Sequence, residues 1–241
     1  MVLSRPEPPV LVACDLDGTL APLRPHPART RLPHAAREAL RRLVQRRAVR
    51  VAVLSGRRLA EVRRLVRLRG VAFGGNHGLE LEAGGRIWIH PAARRARPRL
   101  VRAARALRRR LAGVRGVWVE DKGLTLTVHY RAAPRRAWPA VARAARTVRE
   151  GLRLRAGKRT WELRPSVAWD KGRAVGWLRR RLGCGRVIYL GDDRTDEDAF
   201  RALRRGDLGV RVGPGATRAA ARVRSPRDAA RWLDRLAGTL A

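Results

Sequence analysis

The sequence predicts a mixed α/β protein with a second, α+β domain inserted into the chain. Short apolar runs alternate with amphipathic helical patterns as far as Ile89, and this alternation resumes after Asp170. Between these points the order of the patterns is different. The chain is 45% hydrophobic and carries seven Trp, so it can bury a core in a way that a disordered polybasic chain cannot.

Two short apolar runs, Val10–Cys14 and Val51–Leu54, have the length and composition of buried parallel strands. Between them, Ala35–Arg47 predicts a helix because its apolar residues recur at helical spacing. The pattern continues with a helix, a strand and a glycine-centred hairpin, predicted over Leu59–Leu68, Val71–Phe73 and Leu79–Ile89. Strand, helix and strand in succession favour a parallel sheet covered by helices.

The middle of the chain predicts an Arg-rich helix, two strands, a second helix and two more strands, over Leu100–Leu111, Val117–Glu120, Leu124–Tyr130, Trp138–Arg149, Leu152–Arg155 and Thr160–Arg164. This order is typical of an α+β domain. Helices and strands then alternate again over Gly172–Leu182, Val187–Leu190, Asp196–Arg204, Gly209–Val212 and Arg227–Leu236. We therefore predict a core domain from residues 1–92 and 169–241, and an inserted domain over residues 93–168.

Arginine dominates the charge. The chain has 56 Lys+Arg against 20 Asp+Glu, a formal net charge of +36, and only three of the basic residues are lysines. We interpret the arginines as the polar coating of solvated helix faces that a codon bias toward Arg produces. A basic surface also attracts phosphate backbones, but no aromatic-interleaved basic module or docking motif accompanies it. We therefore expect no specific nucleic-acid partner.

Membrane and disulfide patterns are not found in the sequence. No run approaches the roughly 18–20 uncharged apolar residues of a membrane span, and Pro9–Cys14 is too short for the apolar part of a signal peptide. Cys14 and Cys184 have no Cys or His at metal-site spacing, so we interpret both as small buried residues. We expect a cytoplasmic monomer with no membrane partner.

Carboxylates concentrate where two predicted strands end. Asp15 and Asp17 follow the first strand, where the chain turns at Gly18, and a second group begins at Asp192. Ligands of open α/β sheets bind beyond the carboxyl ends of strands. There, one Asp can act as nucleophile or metal ligand while its neighbour exchanges protons with a leaving group. Asp15 and Asp192, with a backbone carbonyl from Asp17 and waters, would suit Mg²⁺, which prefers octahedral oxygen ligands.

Part of the second acidic group has a structural interpretation. Thr195 or Asp196 is predicted to cap the following helix, and Glu197 and Asp198 lie where negative charge favours the helix dipole.

Two other residues are suited to a phosphate group. Ser55 ends the second strand and can hydrogen-bond a phosphate oxygen, helped by backbone amides of the next turn at Gly56 and Arg57. Lys171 is one of three lysines, and a compact ammonium suits a phosphate dianion near acidic neighbours.

These segments resemble the motifs of the haloacid dehalogenase superfamily of phosphatases. Asp15-Leu16-Asp17-Gly18-Thr19 is similar to its first motif, Ser55 to its second, Lys171 to its third and Gly191-Asp192-Asp193 to its fourth, in family order. More narrowly, the chain resembles trehalose-6-phosphate phosphatases over Gly75–Gly78, Val119–Gly123, His129–Arg131, Glu162–Pro165, Trp169–Gly172 and Gly191–Phe200. The resemblance implies a Rossmann-like parallel-sheet core with an α+β cap domain inserted between the second and third motifs.

The same resemblance implies a Mg²⁺-dependent phosphatase. Asp15 would attack phosphorus and form an aspartyl-phosphate, while Asp17 would protonate the departing sugar oxygen and then take a proton from water. Positioning and charge compensation supply most of the catalysis in phosphoryl transfer. The implied catalytic residues are Asp15, Asp17, Ser55 and Lys171, and the implied metal ligands are Asp15, Asp17 and Asp192.

The implied small-molecule partner is trehalose 6-phosphate. Glu120, Lys122 and Glu162 of the inserted domain are candidates for contacts to sugar hydroxyls, because charged groups are strong hydrogen-bond partners of a polyol. His77 is a candidate for the mouth of the cleft. The full set of substrate-binding candidates is Ser55, Gly56, Arg57, His77, Glu120, Lys122 and Glu162.

Two alternatives stay open. The core motifs fit a phosphatase for another sugar phosphate, such as sucrose phosphate or mannosyl-phosphoglycerate, equally well, because only the inserted domain distinguishes these substrates. The other alternative is a basic nucleic-acid-binding protein whose acidic strand ends are vestigial.

Overall fold

A computed structural model of the chain describes residues 8–24, 26–157 and 159–240. The chain divides into two compact units, one formed by the segment up to Trp88 together with the segment from Trp169 onwards, and the other formed by Ile89–Ala168. Lys158, which the sequence suggests as a solvent-facing lysine at a turn, lies outside the described residues.

The strands are β1 Val10–Asp15, β2 Val49–Leu54, β3 Val71–Gly75, β4 Glu80–Ala83, β5 Arg86–Ile89, β6 Trp118–Asp121, β7 Leu126–His129, β8 Leu152–Gly157, β9 Thr160–Pro165, β10 Arg186–Gly191, β11 Leu208–Val212 and β12 Ala221–Val223. The helices are α1 His34–Val44, α2 Leu59–Val66, α3 Pro91–Arg110, α4 Trp138–Thr147, α5 Lys171–Arg181, α6 Asp196–Ala202 and α7 Pro226–Thr239. Among the described residues, no helix is both long and apolar enough to cross a lipid bilayer.

The first unit is an α/β structure, as predicted. Its sheet has the order β12-β11-β10-β1-β2-β3-β4-β5, in which neighbours from β12 to β3 are parallel and β4 is antiparallel to β3. The central strand β1 is buried on both faces. Val12 and Cys14 pack in an apolar cluster with α1, α2 and α7, whereas Leu11 and Ala13 pack in another with α5 and α6. This explains why β1 reads as a continuous apolar run.

Parallel pairing brings the ends of three strands to one edge of this sheet. In the register of the sheet, Asp15 of β1 lies opposite Leu54 of β2, and Cys14 lies opposite Leu190 of β10. The loops that follow these strands therefore leave the sheet at its carboxyl edge, where ligands of such folds bind.

The second unit is an α+β structure. Its four strands form an antiparallel sheet in the order β6-β7-β9-β8. Leu126, Val128 and Leu163 on one face of that sheet are fully buried in a cluster that includes Leu100 of α3 and Val141 of α4. Because side chains alternate between the faces of a strand, the residues next to these apolar positions lie on the opposite face.

Two parts of the fold differ from the prediction. Helix α3 begins at Pro91 rather than at Leu100 and contains Pro98 in its interior. Proline fits the first turn of a helix but removes a hydrogen bond further along, which is why the pattern predicted a later start. Strand β12 has only three residues, with Arg222 between its two apolar ones, and its pattern is too short to indicate a strand.

Candidate active site

Three carboxylates of the first unit meet at the carboxyl edge of its sheet. One oxygen each of Asp15, Asp192 and Asp196 lies within 4.8 Å of the others. Asp15 ends β1 and is 5% exposed, and Asp196, in the first turn of α6, is fully buried. The two acidic segments that are far apart in the sequence therefore converge in the structure.

Gly18 permits this convergence. Its φ is +96°, in a region that favours glycine, and a Cβ atom at this position would lie only 2.2 Å from Oδ2 of Asp192. The neighbouring Thr19 donates its hydroxyl to Oδ1 of Asp192 over 3.0 Å. The turn after β1 thus leaves room for Asp192 and holds it in place.

Lys171 supplies a positive charge to the carboxylates. Its side chain is 2% exposed, and Nζ donates to Oδ1 of Asp15 and, over 2.7 Å, to Oδ1 of Asp196. The lysine is at the start of α5, where the side chain of Asp170 caps the helix by accepting from the amide of Arg173. A buried ammonium is tolerated because two carboxylates compensate for its lost hydration.

The charges of the cluster are strongly interdependent. Burial raises the pKa of Asp15 well above its usual range, and this exceeds the opposing effect of Lys171. Burial and the charge of Asp196 raise the pKa of Asp192 to about 7. Burial alone would lower the pKa of Lys171, but Asp15 and Asp196 raise it above its usual range. Keeping these carboxylates ionised therefore costs free energy, and a bound cation would reduce that cost.

The donor set at this edge fits a hard divalent cation. Asp15 and Asp192 offer carboxylate oxygens, the ligand type that such ions prefer in proteins. Asp196 also belongs to the cluster, but its oxygens are already engaged. Its Oδ1 accepts from Lys171 and from the hydroxyl of Tyr189, and its Oδ2 accepts from the amides of Asp192 and Asp193, each over 2.9 Å.

Of the two residues predicted to cap α6, Thr195 and Asp196, only Thr195 lies at the N-cap. Thr195 occupies the N-cap position of α6, without a side-chain capping bond, and Asp196 points into the site. An aspartate that caps a helix and an aspartate whose side chain points toward the sheet have the same local sequence. Only the folded structure distinguishes the two.

Asp17 faces a different set of partners. Arg57 donates from Nε to Oδ2 of Asp17 and from Nη2 to Oδ1, both over 2.7 Å. The hydroxyls of Ser55 and Thr30 make longer contacts of 3.3 Å to Oδ2 and Oδ1. Ser55 also accepts from the amide of Arg57 over 3.2 Å. Ser55, Arg57 and Asp17 thus form one group, in which Thr30 carries no signal in the sequence.

His77 packs on the loop that carries Ser55. A Cβ atom at Gly56 would lie 2.6 Å from Cε1 and Nε2 of His77, so the ring covers that glycine. The amide of His77 donates to the carbonyl of Ser55, and the amide of Asn76 to that of Arg57. Asn76 and His77 both have positive φ, of 48° and 58°. Such residues cost roughly 1–3 kcal/mol each and are found where the surroundings impose the conformation, commonly at functional sites.

The three candidate sugar contacts lie in the second unit, where Glu120 and Glu162 share one face of the sheet and Lys122 directly follows β6. Glu120 of β6 pairs in register with Thr127 of β7, which pairs with Glu162 of β9. Lys122 Nζ lies 3.8 Å from Oε2 of Glu120, which also contacts His129 over 2.8 Å. Glu162 forms an ion pair with Arg164 over 2.5 Å. This face therefore carries a row of charged side chains, opposite the apolar face that packs on α3 and α4.

The sites in the first unit contain the types of group that phosphoryl transfer uses. They combine a carboxylate next to an ammonium, a carboxylate cluster for a cation, and a second carboxylate, Asp17, oriented by its own partners. The sequence motifs indicated most of these residues. Tyr189, Asp196 and Thr30 were missed as parts of the site, because each acts through contacts that the local pattern does not indicate.

Relatives of known name were found by sequence. A family model described as Trehalose-phosphatase matches residues 13–231. A trehalose-phosphate phosphatase of Mycolicibacterium paratuberculosis is 41% identical over 94% of this chain and 61% of its own length. An uncharacterized glycosyl hydrolase of Mycobacterium tuberculosis is 38% identical over 94% of this chain but only 18% of its own length. The chain thus spans less than two thirds of either relative.

The fold is similar to that of solved structures. A crystal structure of a trehalose-6-phosphate phosphatase related protein has a TM-score of 0.85 and 24% identity, over 95% of this chain and 97% of that chain. A crystal structure of a haloacid dehalogenase-like hydrolase from Bacteroides thetaiotaomicron has a TM-score of 0.67 and 16% identity, over 95% of this chain and 99% of that chain. The fold class predicted from the sequence is confirmed.

Proposed function

The chain belongs to the trehalose-phosphatase family, and from this premise we propose that it hydrolyses trehalose 6-phosphate to trehalose and phosphate. The observation that carries the proposal is the contact between Lys171 and Asp15 at the point where Asp192 approaches. A buried carboxylate next to an ammonium, at the carboxyl edge of an α/β sheet, is suited to accept a phosphoryl group.

The reaction has two halves. In the first, an oxygen of Asp15 attacks phosphorus in line, and the bond from phosphorus to the sugar oxygen breaks. A protonated Asp17 gives its proton to that oxygen, so that trehalose leaves as an alcohol. In the second, Asp17 takes a proton from water while the water oxygen attacks the phosphorus of the aspartyl-phosphate, which releases phosphate and restores Asp15.

A dianionic substrate needs positive charge in a site rich in carboxylates. Lys171 and the hydroxyl of Ser55, together with the amides of Gly56 and Arg57, would hold the phosphate oxygens. We propose Asp15, the carbonyl of Asp17 and Asp192 as the residues that hold Mg²⁺. When bound, Mg²⁺ supplies the remaining charge compensation that phosphoryl transfer requires.

Sugar recognition is assigned to the inserted domain, predicted over residues 93–168. Its polar sheet face carries Glu120 and Glu162, with Lys122 directly after β6, and these residues offer acceptors and a donor for hydroxyl groups. His77 is proposed to line the mouth of the site from the first unit. We expect this cap domain to close over the sugar and exclude bulk water while the phosphoryl group is transferred to Asp15.

The deciding experiment measures phosphate release from trehalose 6-phosphate with Mg²⁺ and with a chelator, for the parent protein and for Asp15→Asn. We expect activity only in the parent with Mg²⁺. Asp234→Asn is a matched control, since Asp234 is a partly exposed carboxylate that pairs with Arg42 outside the site. An active Asp15→Asn enzyme would contradict the mechanism. Faster turnover of sucrose phosphate or mannosyl-phosphoglycerate would replace the substrate and keep the mechanism.

The nucleic-acid alternative makes a different prediction. It requires that the protein lack phosphatase activity and remain on DNA at high salt, whereas purely electrostatic adhesion declines steeply as salt rises.

We also propose a cytoplasmic monomer. The buried thiols of Cys14 and Cys184, which form no disulfide, are consistent with a reducing compartment. Size-exclusion chromatography and cell fractionation test these two proposals.

A further inference from the structure

Arg57 is a buried residue whose guanidinium nitrogens donate hydrogen bonds to other residues of the first unit. Its side chain is 9% exposed. Besides the two contacts to Asp17, Nη1 donates to Glu61 over 2.8 Å, and Nη2 donates to the hydroxyl of Thr30 and to the carbonyl of Pro27. Each of the three guanidinium nitrogens therefore already donates to a protein acceptor. A phosphate ligand would have to compete with these contacts.

The contact between Arg57 and Asp17 is bidentate. Two parallel hydrogen bonds of 2.7 Å join Nε and Nη2 to the two carboxylate oxygens. A single hydrogen bond leaves a carboxylate free to rotate, but a planar fork fixes both its position and the direction of its plane. The contacts from Ser55 and Thr30 are 3.3 Å long and add little to this constraint. Arg57 is thus the residue that determines how Asp17 is oriented.

We propose that the guanidinium group of Arg57 positions Asp17 for proton transfer, rather than binding the substrate phosphate. This inference rests on the proposed phosphatase function. It has a specific consequence, because a general acid matters only when the leaving oxygen needs a proton. A sugar alkoxide needs one, whereas p-nitrophenolate is stable enough to leave without it.

The test compares two substrates, trehalose 6-phosphate and p-nitrophenyl phosphate, through kcat/KM. This ratio reports the steps up to transfer of the phosphoryl group to Asp15, so the later hydrolysis that both substrates share does not enter. For Arg57→Met we expect kcat/KM on trehalose 6-phosphate to fall by about 100-fold, the lower range of what general acid catalysis contributes. On p-nitrophenyl phosphate we expect a fall of less than about fivefold.

A second measurement separates positioning from packing. If Arg57 acts through Asp17, Arg57→Met will cause no further loss on trehalose 6-phosphate in an Asp17→Asn background, because coupled residues are not additive. Arg57→Lys keeps the charge but not the fork, and we expect it to show the same substrate dependence in weaker form. If Arg57→Met does not fold, the substrate dependence of Arg57→Lys tests the proposal by itself.

Arg179 offers a matched control, since it is a largely buried arginine that pairs with Asp207 over 2.9 Å, away from these residues. Arg179→Met should lower the melting temperature and leave the ratio of the two substrates unchanged. Equal losses on both substrates for the Arg57 variants would overturn the proposal. So would a loss on trehalose 6-phosphate that is as large in the Asp17→Asn background as in the parent. If the parent hydrolyses another sugar phosphate instead, that substrate takes the place of trehalose 6-phosphate in the comparison. If it hydrolyses no phosphate ester, both this inference and the proposed function fall.

Discussion

Tyr189 donates its phenolic hydroxyl over 2.6 Å to the same Asp196 oxygen that accepts from Lys171. Both Tyr189 and Asp196 are fully buried, and the tyrosine ring packs edge-on against Phe200 with ring centroids 5.6 Å apart. Because the hydroxyl shares the negative charge of Asp196, it limits how strongly that carboxylate draws Lys171 away from Asp15. Tyr189 of β10 is thereby linked to the proposed nucleophile through Asp196 and Lys171.

We expect Tyr189→Phe to lower kcat by about tenfold and to leave KM nearly unchanged, since one hydrogen bond to a charged group is worth about 1.5–3 kcal/mol. The ring remains, so the apolar packing is preserved. Steady-state kinetics with the sugar phosphate measure both quantities. Phe200→Leu, which disturbs the same apolar cluster but keeps the hydroxyl, should lower the melting temperature more than kcat. Equal effects of the two variants on kcat would show that Tyr189 acts only through packing.

Substitution of Gly18 should impair activity more than substitution of a glycine away from the site. Gly18→Ala places a methyl group where the Asp192 carboxylate lies, and it also imposes a positive φ on alanine. We expect loss of most activity and a higher Mg²⁺ concentration for half-maximal activity, because Asp192 must move. Gly84→Ala is the matched control, since Gly84 also has a positive φ, of +60°, with no atom within 4 Å of its Cβ position. Similar activity in both alanine variants would contradict the prediction.

The part of the site that could be predicted from the sequence follows from strand ends. Asp15 and Asp192 come directly after apolar runs, and parallel strands bring such positions to one edge of a sheet. Lys171 was identified by its rarity among many arginines. Each of these inferences depends on local sequence and on a general rule of the fold.

The part that was missed depends on contacts across the fold. Arg57 and Asp17 lie on different loops and form a bidentate pair. Nothing in the local sequence Leu54–Arg57 indicates whether the Arg57 side chain contacts substrate or protein. In the same way, Tyr189 appears in the sequence as an ordinary residue of a buried strand. Its hydroxyl acquires a role only because α6 returns Asp196 to within hydrogen-bonding distance.

Glu162 provides a test of the inserted domain. We expect Glu162→Gln to raise KM for trehalose 6-phosphate by about tenfold, with little change in kcat, because it weakens charge-assisted hydrogen bonds to hydroxyl groups. Hydrolysis of p-nitrophenyl phosphate, which has no sugar, should not change. Glu150→Gln, at an exposed carboxylate of the same unit, is the control. An unchanged KM for Glu162→Gln would remove Glu162 from the proposed sugar contacts.

The raised pKa of Asp192 predicts how stability responds to pH when metal is removed. Its pKa is about 7 in the folded protein against an ordinary value of 3.8, so between these values the folded state holds a proton that the unfolded chain has released. Stability in a chelator should therefore fall as pH rises through this window, and Mg²⁺ should raise the melting temperature more at pH near 7.5 than near 5. The lowered pKa of Asp121, held by Arg97, acts in the opposite direction but only at more acidic pH. Asp192→Asn isolates the effect, because in chelator its melting temperature should gain on the parent as pH rises. A constant difference between the two proteins would mean that Asp192 does not hold that proton.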